Sequence, residues 1–435
     1  APLARALGHL AIMAKITKSG LAAGKVEDLS AKYQSEGWLA DDAVLRALAQ
    51  VDRAEDLNAV QTAVRSIYLP WIEESARHLQ KVWKSDGKTQ FGKNPGCVSE
   101  ECLLFVDGLR FDCAKRLSAK LQESGYEVEE SAMWAALPSV TATGKPAVAP
   151  LSTDSNWIKD EPVNSDFEAM STVQLCKAIK ENGYSIVSKH LPCPPASSVD
   201  KKIWCEFGDI DHEGHDRGWK LARQIDELIR EIQERIAELL TAGWKRIRVV
   251  TDHGWLLMPG GLPKNELPSF LVDSKWGRCA ALTEGASTEE RLFPWYWNPH
   301  QHFALADGIS CYRKGEEYTH GGLSLQECLT LQLTVTRNKI EQSQAVEFTD
   351  VGWNGLRCTV AVAGEFAGTS LDVRRNAGDA ASSVVVEVKA LKKNGTASVV
   401  VENEDLEGLD ATIVLLADNG SLLAQINTVI GGGNP

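Results

Sequence analysis

The chain has no closely spaced cysteine pair, no long apolar run and no excess of positive charge. Its ten cysteines are scattered singly over 435 residues, with no CxxC among them. That spacing excludes a metal–thiolate cluster or a dense disulfide framework, and predicts small buried hydrophobes in a reduced, cytoplasmic compartment. The longest apolar stretches, such as CLLFV and TIVLLA, fall far short of the ~20 residues needed to cross a bilayer, so no membrane partner is expected. No basic leader followed by an apolar segment is visible, and the start at Ala1 rather than Met points to an upstream region removed. A formal charge of −13 argues against broad attraction to nucleic acid. It leaves room for a local basic groove, where metal ions and a few Lys or Arg dominate one site. What remains is ordinary for a globular protein: 43% hydrophobic, 24% charged, with thirteen Trp expected mainly in the core. The length predicts two or three domains.

Three textures follow one another along the chain. In the first, Leu3, Leu7, Leu10, Met13 and Ile16 recur at near-helical spacing, and Asp41-Asp42 precedes the periodic run AVLRALAQV. Val60, Val64, Ile67 and Trp71 continue the rhythm, with a break or kink expected at Pro70. The polar connector GKTQFGKNPG closes this helical region, 1–96, whose expected role is packing or partner contact. From 97 to 338 strand and helix alternate. CLLFVDG reads as a buried parallel strand delivering a carboxylate at its end, FDCAKRLSAKLQESG as an amphipathic helix closed by Gly125, and residues near 126–130 as another strand. KLARQIDELIREIQERIAELLTAG reads as a long helix capped by Gly243, and RIRVVTDHG as the next strand ending in a carboxylate. This is the pattern of an open α/β sheet whose crevice lies beyond the carboxyl ends of its strands. The last region, 339–435, holds six or seven short β-rich runs, among them LRCTVAV, SSVVVEVKAL and ATIVLLAD, with turns at Asn394-Gly395 and Asn419-Gly420. It predicts a β-sandwich of immunoglobulin-like architecture without the Cys-Trp-Cys pattern of antibody domains. GGGNP reads as a flexible tail.

Five short segments carry the chemistry: Asp107 in LFVDGLR, Thr141 in PSVTATG, Asp211 and His215 in DHEGH, Asp252 and His253 in VVTDHG, and His320 in YTHGG. Each has a plain structural alternative. Asp252-His253 also suits a turn or helix cap, Thr141 a helix N-cap, and His320 a loop. Asp211 and His215 are four apart, so one helical turn can aim both at one ion. Ser139 and Thr143 flank Thr141 with the same hydroxyl chemistry, and Asp209 with His212 forms a rival to Asp211 with His215. Taken jointly, three Asp, three His and a hydroxyl suit a pair of divalent ions about 4 Å apart, which stabilise the attacking and leaving oxygens of phosphate displacement.

In this order the segments resemble the alkaline phosphatase superfamily, in its nucleotide pyrophosphatase/phosphodiesterase-like branch. DGLRFD, LPSVTATG, DHEGHDRG, VTDHGW and THGGLSLQE are more closely similar to the PglZ domain of BREX phage-defence systems. The resemblance implies an alkaline-phosphatase-like open sheet sandwiched by helices over 97–338. It implies that Asp107, Asp252 and His253 bind one ion together with the Thr141 oxygen, and that Asp211, His215 and His320 bind the other. Zinc is the expected metal, with manganese suited to oxygen-rich sets. Thr141 is then the nucleophile of a covalent phosphothreonine intermediate. Arg110 and Lys145 are candidates for the non-bridging phosphate oxygens, with an exposed salt bridge as the alternative for each, and Asp112 for starting a helix. Cys or Ser before x-Pro-x-Arg, the sulfatase signature, does not occur. The implied function is a phosphodiesterase acting on nucleotides or nucleic acid, with other BREX subunits as partners and DNA as a substrate. The alternative is a scaffold subunit with a structural or vestigial metal site.

Overall fold

The computed structural model of the chain describes residues 2–83, 101–151, 167–188, 191–196, 202–267, 272–283, 291–337, 346–364, 366–418, 420 and 422–432. The connector expected at 87–96, the turn residue Asn419 and the last three residues of the tail lie outside them. Two compact units divide the chain, Ala1–Thr336 and Arg337–Pro435.

The first unit opens with α1 (Pro2–Ile16), α2 (Val26–Lys32), α3 (Trp38–Ala49), α4 (Ala54–Ala63) and α5 (Leu69–Val82). Apolar residues at helical spacing bury one stripe of each; on α5 these are Trp71, Ile72, Ala76 and Leu79. The break expected at Pro70 is instead a wide π-helical turn, Val64–Tyr68, after which Pro70 sits in the first turn of α5. The π turn carries the Leu69 N–H to the Val64 carbonyl, and Pro70 follows it with no N–H of its own to place.

Strands and helices then alternate: β1 (Glu101–Phe105), α6 (Phe111–Glu123), β2 (Tyr126–Trp134), α7 (Thr141–Val148), α8 (Thr172–Glu181), β3 (Ser185–Val187), β4 (Lys202–Glu206), α9 (Ile210–Arg217), α10 (Ile225–Thr241) and β5 (Arg246–Val250). They continue as β6 (Leu256–Leu257), β7 (Val272–Lys275), β8 (Cys279–Leu282), β9 (Leu292–Pro294), β10 (His302–Leu305), β11 (Tyr318–Thr319), α11 (Leu325–Cys328) and β12 (Leu329–Arg337). The main sheet runs β2-β12-β5-β1-β4-β3. β3, β4, β1 and β5 are parallel, while β12 is antiparallel to β5. In the parallel register Phe105 stands beside both Glu206 and Val250. The segments that follow these three residues therefore leave the sheet along one rim, where a doubly wound sheet has its crevice. The long helix expected from Lys220 begins later: Gly218–Arg223 is a 3₁₀ segment, and α10 starts at Ile225. The helices of residues 2–83 and the sheet share one apolar core, which includes Leu45, Leu79, Phe111, Ile229 and Trp255.

The second unit holds β13 (Glu347–Asn354), β14 (Arg357–Ala363), β15 (Ser370–Arg374), β16 (Lys389–Ala390), β17 (Thr396–Val400), β18 (Asp410–Leu416) and β19 (Leu422–Val429). They form two antiparallel sheets, β13-β14-β17 and β16-β15-β18-β19, around a core that includes Cys358, Val360, Val373, Val399 and Ile413. The run SSVVVEVKAL contributes only the two-residue β16; Val384 and Val385 before it are buried without forming a full strand. Among the described residues, no helix is long and apolar enough to cross a membrane.

Candidate metal centre

The rim of the main sheet gathers the polar segments. Asp107 follows β1 by two residues, Asp252 and His253 follow β5, and α9 begins beyond β4 with Asp211 in its first turn and His215 one turn later. Thr141 is the first residue of α7, with Val140 rather than Thr141 at the cap position. Its hydroxyl therefore stands at the positive end of a helix dipole without being consumed as a cap. His320 follows β11, which pairs antiparallel with β6, just after His253. That ribbon holds the His253 and His320 rings in parallel stacking, 3.9 Å between centroids at 10°.

Two donor sets result. Asp107, Asp252 and His253 lie close enough to share one ion, as do Asp211, His253 and His320. His253 belongs to both. His215 stands beside the second group with its side chain half exposed, its Nε2 3.1 Å from His320 Nε2 and 3.6 Å from Asp211 Oδ2. His253 Nε2 is 3.5 Å from Asp252 Oδ2 and 3.7 Å from Asp107 Oδ1, and His320 Nε2 is 3.4 Å from Asp211 Oδ1. The four carboxylate–imidazole separations of 3.4 to 3.7 Å exceed normal hydrogen bonds. They match two donors held ~2.1 Å from one tetrahedral ion, which sit roughly 3.4 Å apart. Thr141 Oγ1 lies 3.1 Å from His253 Nε2.

The donor chemistry fits divalent metal. Asp107 Oδ1 and Asp252 Oδ2 are buried without a hydrogen-bond partner, an arrangement that costs several kcal/mol for a bare carboxylate and none for a ligated one. His253 Nδ1 donates to the Gly254 carbonyl at 3.0 Å and His320 Nδ1 to the Ser139 carbonyl at 3.0 Å. Both imidazoles therefore present an Nε2 lone pair to the cluster. Close packing positions the Thr141 hydroxyl as well: a Cβ on Gly144 would lie 2.9 Å from both Cβ and the carbonyl oxygen of Asp252, so only glycine lets α7 approach the end of β5.

Burial and like charge dominate the electrostatics. Burial, then the neighbouring Asp252, push Asp107 well above the usual carboxylate range. Burial and Asp211 raise Asp252 to about 7. Asp211 is the exception: burial pushes it up, but the His320, His253 and His215 imidazoles outweigh that and leave it lowered. Burial lowers His215, and burial with the His253 charge lowers His320 to about 4. Burial thus disfavours the charged imidazolium at His215 and His320, while the crowded carboxylates favour a cation among them.

Several expectations are corrected or narrowed. Arg110 does not face the cluster as a phosphate ligand. The residue is 2% exposed, and its guanidinium forks onto Asp112 at 2.6 and 2.8 Å and lies 3.8 Å over the Trp255 ring. Asp112 thereby does more than start α6, and this buried pair replaces the exposed salt bridge considered for Arg110. Lys145 Nζ donates to Glu206 Oε2 at 2.8 Å. The flanking hydroxyls point elsewhere: Ser139 donates to the Gly322 carbonyl and Thr143 to the Phe167 carbonyl. His212, the rival to His215, is exposed and pairs with Asp216. Tyr318, which carried no sequence signal, donates its hydroxyl to Asp211 Oδ1 at 2.8 Å. It stands two residues before His320, and only the β6–β11 pairing turns it toward α9.

No protein-family profile matches the chain. No curated protein matches it either. Among solved structures, murine ectonucleotide pyrophosphatase/phosphodiesterase 5 is similar at 12% identity and a TM-score of 0.38, over 54% of this chain and 87% of that one. A likeness at that level assigns neither an activity nor residue roles to this chain.

Proposed function

We propose that this chain is a metal-dependent phosphoric ester hydrolase that uses Thr141 as its nucleophile. The observation that carries the reading is the pair of donor sets meeting at His253, with the Thr141 hydroxyl 3.1 Å from its Nε2. Asp107, Asp252 and His253 with Thr141 would hold one divalent ion, zinc or manganese, and Asp211, His215 and His320 the other. Bound there, such ions would acidify the threonine hydroxyl, neutralise the developing charge and favour departure of the leaving oxygen. The chain itself supplies the rest. The start of α7 aims Oγ at phosphorus, and its backbone N–H groups favour an anionic phosphoryl group in front of them. The Oγ–P bond forms as the P–O bond to the leaving alcohol breaks; water then cleaves the phosphothreonine ester and restores the hydroxyl.

A phosphodiester suits the site better than a monoester. Arg110 and Lys145, the cations expected to hold additional phosphate charge, are each paired with a carboxylate. A monoester brings a second negative charge, and Lys145, whose charge reaches Asp107 and Asp252, already meets the Glu206 carboxylate; a diester brings one charge. The motif resemblance supports nucleotides or nucleic acid as the substrate, and a place among other BREX subunits in phage defence. In that proposal residues 339–435 are an immunoglobulin-like module available for recruiting them.

Bis-p-nitrophenyl phosphate hydrolysis with zinc or manganese tests the reading, beside Thr141→Ala and Asp252→Ala. Metal-dependent turnover should fall at least ~10³-fold in both variants. Equal inertness of wild type and variants, with BREX assembly intact, would leave a scaffold. Faster hydrolysis of p-nitrophenyl phosphate than of the diester would overturn the diester preference alone.

A further inference from the structure

We infer that Tyr318 is the positioning residue that fixes α9 against the metal centre, and that Gly214 is glycine to make room for its ring. The inference rests on the two-ion reading and deepens it at one ion. Tyr318 lies in the two-residue strand β11, held by β6 through Tyr318↔Leu257 and Thr319↔Leu256. From there its hydroxyl donates 2.8 Å to Asp211 Oδ1, and its ring meets the His215 ring edge to face, 5.0 Å between centroids at 76°. The opposite neighbour is Trp255, 5.2 Å away, two residues beyond His253. One side chain thus touches both ligands carried by α9 and stands two residues from a third, His320.

The helix accommodates this ring by giving up a side chain. A Cβ on Gly214 would fall 2.3 Å from two Tyr318 ring carbons, a distance no packed structure tolerates. The glycine of DHEGH has no left-handed backbone to satisfy, since it lies inside α9. Glycine costs a helix interior stability relative to alanine, and here the tyrosine ring takes the space. A hydrogen bond to a ligating carboxylate also sets its orientation and its readiness to bind. Tyr318 is buried and the hydroxyl bond is charge-assisted, so water cannot replace it without opening the packing.

The test is a zinc titration of metal-stripped full chain by calorimetry, with stoichiometry checked by elemental analysis. Wild type should bind two zinc ions. Tyr318→Phe, which keeps the ring and removes only the hydroxyl, should weaken one of them ~10–100-fold and leave the other unchanged. Gly214→Ala, which keeps the hydroxyl and crowds the ring, should weaken the same ion. Asp252→Ala should instead weaken the other one. Wild-type affinities at both sites in Tyr318→Phe and Gly214→Ala overturn the role of Tyr318 while leaving the metal centre standing. A wild-type chain that binds neither zinc nor manganese overturns both.

Discussion

At the residue scale, the charge states of the donors make metal binding depend on pH in a definite direction. Asp252 is raised to about 7 from an ordinary 3.8. A carboxylate whose folded value is raised stabilises the metal-free fold fully below its unfolded value, and this contribution is lost as pH rises from about 4 to about 7. His320 works in the opposite sense. It is lowered to about 4 from 6.5, so its contribution is present above its unfolded value and lost as pH falls toward 4. An ion must displace the proton on Asp252 but meets a neutral His320 over most of the range. Zinc affinity should therefore rise between about pH 5.5 and 7, with release of protons from Asp252 and from Asp107, whose carboxyl is raised as well. Calorimetry in buffers of different ionisation enthalpy measures this, and Asp252→Asn should flatten the rise. Flat affinity in wild type across that interval contradicts the assignment of Asp252 as a proton-bearing ligand. The identities of these donors were legible in the sequence because residue type and strand-end position travel together. The commitment of Arg110 to Asp112 and Trp255 was not, since an Arg beside a ligand reads the same whether it faces inward or outward.

At the element scale, the site depends on how closely α7 and the β6–β11 ribbon approach the sheet rim. Gly144 controls the first approach. Gly144→Ala places a methyl against the backbone of Asp252, which cannot yield as a flexible side chain can. The variant should lose ~1–3 kcal/mol of stability by overpacking. It should also lose more turnover than that destabilisation explains, because Thr141 moves with the helix. Thermal melts and diester hydrolysis at a temperature well below both transitions separate the two effects; a melt shift with full turnover would show that α7 tolerates the displacement. The buried Arg110–Asp112 pair supplies a second check. Asp112→Ala takes the two-pronged carboxylate partner from a buried guanidinium and should cost ~3–5 kcal/mol in a denaturant titration. Strand and helix types followed from periodicity, as in β1, α6 and β5. The π-helical turn before Pro70 and the 3₁₀ start before α10 did not, because both preserve the apolar spacing while changing the hydrogen-bond partners.

At the scale of the whole molecule, the helices of residues 2–83 belong to the unit that carries the site. Buried Asp41 on α3 accepts hydrogen bonds from the Tyr33 and Tyr68 hydroxyls, and the Gln326 amide reaches it from α11, beside β12. Gln80 on α5 donates to the Gly308 and Leu323 carbonyls, bracing the loop that leads from His320 into α11. A chain ending at Thr336 should match the full chain in zinc binding and in the proposed hydrolysis, whereas one starting after residue 83 should fail to fold. Circular dichroism with a zinc titration on each decides, and a folded, zinc-binding 84–336 chain would contradict the shared core. By itself the sequence determined which donors exist, their order, and that an alternating α/β region would carry them at strand ends; these are properties of local period and residue chemistry. Only the tertiary structure decided that His253 stands in both donor sets, that Tyr318 reaches Asp211 and that Arg110 turns away. Such choices depend on contacts between separate segments of the chain, Tyr318 with Asp211 and Arg110 with Trp255 among them, and no local pattern encodes which of two faces a side chain takes once the layers pack.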